Sequence, residues 1–241
     1  MPSTFVFKAT PFRLMRLRRW LYSEFIEGRT LFDYLFLLTG LALQAVVWVV
    51  HPSSYLSLLS AVCGIFSVIL CSQRKISTFF FGFVQITTYL FLALQQLLYA
   101  EVAMNMFYLL SQFYGLWVWR RRYEPDSQTT AKRLQPRRMS VGLFALILSS
   151  ALLLSWLTGY LLSSFTADTQ PYLDAFTTLP AIVAQVLMVM AYREQWFVWL
   201  LIDVLSVVMW LRAGDYALAA QYAFWCANCI YGLRQWKATD R

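Results

Sequence analysis

The sequence predicts an all-α integral membrane protein with eight transmembrane helices. Two parallel three-helix bundles, spans 2–4 and spans 6–8, are joined by a linker helix and preceded by an extra N-terminal span. Three observations carry this expectation: composition, the spacing of apolar runs, and a weak internal repeat. Of 241 residues, 60% are apolar and 13% charged, and the mean hydropathy is +0.56. A soluble domain is closer to half apolar and a quarter charged. A disordered chain, a secreted disulfide scaffold and an ordinary cytosolic enzyme are thereby excluded. The net charge of +8 would suggest nucleic acid in a soluble protein. Here the basic residues fall in blocks between apolar runs, which is a topology signal, and no nucleic-acid partner is expected.

The elements follow in order. Residues 1–31 carry Arg13, Arg16, Arg18 and Arg19 among Phe12, Leu14, Leu17, Trp20 and Leu21. They read as a cytoplasmic basic amphipathic helix on the inner leaflet. Charges continue to Arg29, so the segment is not a signal peptide. Apolar runs then cover 32–50, 54–71, 76–98, 102–119, 141–165, 175–191, 196–211 and 216–231, each near the length that crosses a bilayer as helix. The expected domains are an additional span at 32–51, a first three-helix bundle at 54–119, a basic cytoplasmic loop at 120–139, a linker span at 140–165 and a second bundle at 172–236. With the N-terminus inside and sides alternating, every Lys and Arg of the 20 falls on the inner face except Arg212. Eight spans in a bacterial inner membrane, with both termini cytoplasmic, satisfy this asymmetry.

The repeat is read from the span ends. Tyr114-Gly115-Leu116 followed by Trp119 recurs as Tyr231-Gly232-Leu233 followed by Trp236, and Tyr99-Ala100 matches Tyr216-Ala217. Further upstream, Lys75, Phe81 and Gln85 align with Arg193, Trp199 and Asp203 if one residue of slip is allowed in the turn between. Three spans per repeat plus one linker span give both bundles the same orientation, and sites in such proteins form between the repeats near the midplane.

Polar residues inside spans are candidate functional groups, although amides and hydroxyls also serve as plain interhelical glue. Asp203 is the only acid well inside a span. Trp199, Asp203, Ser206 and Trp210 recur at helical spacing and share a face, with Trp196 one turn earlier. A carboxylate between indoles suits a flat organic cation, through cation–π attraction and charge neutralisation. Asn105, Tyr108 and Gln112 form a stripe on span 4. Gln221, Trp225 and Asn228 form one on span 8, and Phe81, Gln85 and Thr88 one on span 3. Their amides offer donors and acceptors to a ring carboxamide or a sugar. Gln44 and Gln185 are lone amides and read as glue, and His51 reads as a turn residue. Cys63, Cys71, Cys226 and Cys229 read as small packing residues. No carboxylate pair, His-rich metal cluster, Ser/His/Asp set or phosphate loop is present in the sequence, so neither an enzyme nor a metal or cofactor is expected.

The segment Trp196-x-x-Trp199-x-x-x-Asp203-Val-x-Ser-Val-Val, the stretch Lys-Ile-Ser-x-Phe-Phe-Phe-Gly from residue 75, and the Tyr-Gly-x-x-x-Trp span endings resemble the PnuC family of vitamin transporters. The likeness covers spans 2–8. It implies a SWEET-like build and facilitated uptake of nicotinamide riboside for NAD biosynthesis, without ATPase or ion coupling. It also implies a functional link to a cytosolic riboside or vitamin kinase that traps the substrate. The family motif usually carries Asn at the position of Asp203, and Asp there is similar to thiamine-type members. Thiamine, and less readily the neutral riboflavin, are the alternative substrates. A non-transporting receptor subunit is the alternative class, and a homo-oligomer is compatible with the sequence.

Overall fold

A backbone crossing hydrocarbon must satisfy its N–H and C=O groups internally, so long apolar runs become helices. The computed structural model describes residues 18, 20–95, 97, 99–125, 132–165 and 170–237. Among them α1 spans Leu31–Val50, α2 Tyr55–Ser72, α3 Thr78–Gln95, α4 Tyr99–Arg121, α5 Val141–Phe165, α6 Pro171–Val189, α7 Gln195–Arg212 and α8 Tyr216–Gln235. Polar caps fix several starts. Thr30 and Asp33 form a capping box on α1, Ser54 caps α2, Asp215 caps α8, and Pro171 opens α6, each satisfying or removing an orphan N–H.

Six of these helices, α1, α2, α3, α5, α6 and α7, are long and apolar enough to cross a membrane. The other two, α4 and α8, are more polar because they carry the amide stripes. Large apolar side chains such as Val49, Tyr55, Val141 and Phe165 point outward, as expected of a surface solvated by lipid. The linker helix α5 is exposed almost all round and buries one narrow stripe, Ala151, Ser155 and Gly159. Small residues let it approach α6 closely. A Cβ added to Gly159 would lie 2.6 Å from the Tyr172 ring and 3.0 Å from its Cα.

The two three-helix units are α2–α4 and α6–α8. Helix α4 packs against α6 and α8 against α2, so each unit inserts its last helix beside the first helix of the other. Helix α1 lies along α2 and α8. At the end opposite the basic residues, His51 pairs with Asp215 at 2.8 Å and ties α1 to the turn between α7 and α8.

The repeat runs at one offset of 117 throughout, which corrects the expected slip. Left-handed Arg74 and Leu97 correspond to Ala191 and Gly214. The turn bond from Lys75 N to Leu70 O corresponds to that from Tyr192 N to Leu187 O. Phe79 stacks edge-on against Trp119 at 84°, and Trp196 against Trp236 at 80°. The slip came from matching residues by chemistry: the partner of Trp196 is Phe79, and the partner of Asp203 is Ile86, not Gln85.

The glycine of each Tyr-Gly-Leu motif makes room for that ring. A Cβ on Gly115 would lie 2.7 Å from Phe79, and one on Gly232 would lie 2.5 Å from Trp196. Gly232→Ala is therefore expected to destabilise the protein by about 1–3 kcal/mol through overpacking, read as a lowered midpoint in thermal unfolding. Gly142→Ala, where an added Cβ meets nothing within 4 Å, is the control and should lower it little.

Two polar segments carry structure beyond what the sequence pattern specified. The 120–139 loop contains a hairpin, β1 Tyr123–Pro125 and β2 Lys132–Leu134, with Glu124 opposite Arg133. Its strands are too short and charged to show periodicity. Leu134 is fully buried, and its N–H donates to Arg74 O. Arg137 N donates to Ala191 O, the repeat equivalent of Arg74, so the second strand and the residues just after it fasten both bundles. Of the N-terminal segment, residues 1–17 lie outside the described residues. Residues 20–25 are helical, and buried Glu24 accepts from Ser77 N at 3.2 Å, Ser77 Oγ at 2.6 Å and the Tyr123 hydroxyl. That glutamate folds against the α2–α3 turn.

Candidate functional site

Asp203 sits near the middle of the 18-residue α7 and is 7% exposed. Ser206, on the same face, is also buried, and Trp199 and Trp210 are half-buried. This face meets α8, where the Cys229 thiol donates to Asp203 Oδ2 at 3.3 Å. A thiol is a weak donor. Among the described residues no Lys, Arg or His pairs with Asp203. The carboxylate therefore keeps most of its capacity to attract a cation.

Next to Cys229 in the chain, Asn228 is 1% exposed, and neither its amide nitrogen nor its amide oxygen has a hydrogen-bond partner. Gln112 on α4 is buried with Oε1 likewise unpartnered. A buried polar atom without a partner costs about 1–3 kcal/mol, and native proteins seldom keep one unless water or a ligand supplies the bond. By the 117-residue offset, Gln112 is the counterpart of Cys229, and Gly82 of Trp199. A Cβ on Gly82 would come within 2.8 Å of Gln112 Nε2. The pair that is an amide over a glycine in the first bundle is thus a thiol and an indole in the second, and the carboxylate of Asp203 stands where the first bundle has Ile86.

The remaining predicted residues divide. Gln85 is half-buried, with its side chain against Gly64. Asn105 is buried and Tyr108 half-buried on α4. On the same helix Ser111 accepts from Gln185 Nε2 at 2.8 Å, which links α4 to α6. Gln221 donates to Gln44 Oε1 at 2.8 Å, so this predicted contact residue is engaged with α1. Trp225 packs beside Phe224 on the cluster formed with α1 and α2. Trp196 lies about 10 Å along α7 from Asp203, against Trp236 and Gly232. The structure thus groups Trp196 with the closing cluster, which meets the carboxylate through Cys229.

That cluster is the feature the residue pattern did not announce. Trp119 Nε1, at the end of the first bundle, donates to Met188 O of the second at 3.0 Å. Trp236 Nε1, at the end of the second, donates to Cys71 O of the first at 2.9 Å. The two bonds are repeat equivalents and cross between bundles in opposite directions. With Phe79, Leu134, Val189 and Trp196 they form a buried plug at the basic end. The duplicated Tyr-Gly-x-x-x-Trp motif was its only sequence trace. Cys229, read from sequence as packing alone, belongs both to this cluster and to Asp203.

Residues 54–238 match the family model described as nicotinamide mononucleotide transporter, a stretch that holds both bundles and the linker. The chain is 31% identical over 229 residues to the nicotinamide riboside transporter PnuC of Neisseria mucosa, covering 90% of this chain and 85% of that one. It is 29% identical over 226 residues to the nicotinamide riboside transporter PnuC of Haemophilus influenzae, covering 92% and 96%. Among solved structures it resembles the crystal structure of the vitamin B3 transporter PnuC, with a TM-score of 0.73 and 29% identity, over 90% of this chain and 95% of that one.

Proposed function

The chain belongs to the nicotinamide mononucleotide transporter family, a family of multi-pass membrane transporters and not of enzymes, and on that premise we propose that its cargo is nicotinamide riboside, taken up by facilitated diffusion across a bacterial inner membrane. The observation that carries this reading is Asp203: a buried acid at mid-span, bonded to the thiol of Cys229, whose chain neighbour Asn228 is buried and unpartnered. The pyridinium ring brings the positive charge that Asp203 neutralises, and Trp199 supplies a π-face. The carboxamide and ribose hydroxyls supply partners for Asn228 and Gln112. Gln85, Asn105 and Tyr108 extend the site on the first bundle.

The family description and the names of the relatives differ by one phosphate, and charge favours the riboside. A phosphate dianion placed near Asp203, with no cation beside it among the described residues, meets repulsion that low dielectric amplifies. The basic end faces the cytoplasm by the distribution of Lys and Arg. There the Trp119 and Trp236 latches close the path, and alternation of the two bundles about the central site opens it. Phosphorylation by a cytosolic kinase gives the direction, since the charged product does not fit the acid-lined site.

Titration calorimetry on the purified protein with nicotinamide riboside, nicotinamide mononucleotide, thiamine and riboflavin tests the assignment. The riboside is expected to bind tightest, and the mononucleotide at least about tenfold more weakly. Tighter binding of thiamine would reassign the cargo within the family. Absence of binding by either cation would remove the reading.

A further inference from the structure

We propose that the cavity at the basic end, between the N-terminal segment, the α2–α3 turn and the hairpin, is a binding site for a phosphate monoester group, separate from the mid-span site. The cavity holds about 150 Å³ and is lined by Arg29, Lys75 and Arg133 together with Asp33, Gln73 and Tyr231. A void of that size accepts a molecule as large as benzene, so a phosphoryl group fits with the rest of its ester extending outward.

The lining sets three cations against one carboxylate, Asp33, while Glu24 and Glu27 act on Lys75 from nearby. Lys75 is 1% exposed, and its ammonium donates to the carbonyl of Ser23. Arg29 Nη2 donates to Glu24 O at 3.3 Å, and Arg133 Nη2 to Gly28 O at 3.2 Å. Neither Lys75 nor Arg29 makes an ion pair among the described residues. Asp33 and Glu24 accept from neutral donors. Asp33 accepts from Thr30 N at 2.7 Å, Thr30 Oγ1 at 3.0 Å and the Tyr231 hydroxyl. Glu24 accepts from Ser77 and Tyr123, and Glu27 contributes charge near Lys75.

A buried ammonium bonded to a carbonyl is costly unless an anion completes it. Burial holds Lys75 down at about 8, against the attraction of Glu24 and Glu27 and helped by repulsion from Arg133 and Arg29. Guanidinium groups match phosphate oxygens in pairs, and lysine adds a point charge. The three cations come from three separate segments, so one phosphoryl group bridging them ties those segments together. They border the end closed by the tryptophan latches, and a bound phosphate therefore favours the closed arrangement.

Shared chemistry leaves two sources, a soluble phosphate ester and a phospholipid headgroup. The full-length protein in phosphatidylcholine nanodiscs is heated with sodium phosphate, ribose 5-phosphate, or sodium chloride at equal ionic strength. A parallel sample carries phosphatidic acid in the disc. Either phosphate, or phosphatidic acid alone, is expected to raise the unfolding midpoint by about 3 °C over chloride, and whichever does so names the source. Lys75→Gln and Arg133→Gln should abolish the shift and leave riboside affinity unchanged. Arg133 lies on a half-buried strand position, so its variant keeps the test decisive if Lys75→Gln does not fold. A chloride shift equal to that of every phosphate, or a full phosphate shift in a folded Arg133→Gln protein, overturns the proposal. The unchanged riboside titration separates that failure from a failure of the transport reading.

Discussion

Asp203→Asn is expected to weaken nicotinamide riboside binding about 10- to 100-fold while leaving a neutral dihydro analogue within about twofold. A hydrogen bond to a charged group contributes about 1.5–3 kcal/mol, and 1.4 kcal/mol is tenfold in affinity. Asparagine keeps the size and the hydrogen-bonding capacity of the side chain and loses only the charge. The neighbouring thiol of Cys229 can donate to the amide oxygen instead, so the helix pair α7–α8 should remain packed. Calorimetry with both compounds is the measurement. Equal weakening of the cation and the neutral analogue would assign Asp203 to helix packing. Unchanged affinity for the cation would detach the acid from the site altogether. Because Asn occupies this position in the family motif that the sequence resembles, the variant also asks whether the acid adds affinity for cations over the usual arrangement.

Replacing both Trp119 and Trp236 by phenylalanine should open the basic end. Each substitution keeps an aromatic ring in the plug and removes one indole N–H that bonds a carbonyl of the opposite bundle. A neutral hydrogen bond contributes about 1 kcal/mol net, so the pair should shift the closed-to-open balance about 30-fold. Cys71 and Cys229 report it, since both thiols are buried in the plug. Cys63→Ala and Cys226→Ala clear the background. Maleimide labelling of the double phenylalanine protein should be about 10- to 30-fold faster than of its tryptophan parent, and each single variant should give a comparable part of the effect because the bonds are repeat equivalents. Labelling at the parent rate in a folded double variant would show that these bonds do not hold the end closed. A lone effect from one tryptophan would break the symmetry argument and assign motion to one bundle.

The shared face of Trp199, Asp203 and Ser206 followed from helical spacing, because side-chain direction around an α-helix is set by residue number alone. Which partner that face meets did not follow. Gln221 and Gln44 were separate residues in the sequence and are bonded in the fold. Trp196 shares a motif with Asp203 and packs in the closing cluster about two helical turns away. Cys229 looked like packing until α8 came alongside α7. The hairpin was hidden because its short charged strands leave no periodic signal.

From the chain alone came its membrane nature, its division into apolar spans, its Lys and Arg asymmetry, its duplication and its family likeness. All of these are one-dimensional properties: hydropathy over about 20 residues, charge between runs, and recurrence of a motif. The tertiary structure alone decided the constant register of the repeat, the reciprocal tryptophan bonds, the fastening of both bundles by the segment 132–137, and the cavity ringed by Arg29, Lys75 and Arg133. Each of these depends on hydrogen bonds or charges brought together from segments distant in the chain. Helical periodicity specifies the direction a residue faces, but the residue it meets depends on how the helices pack.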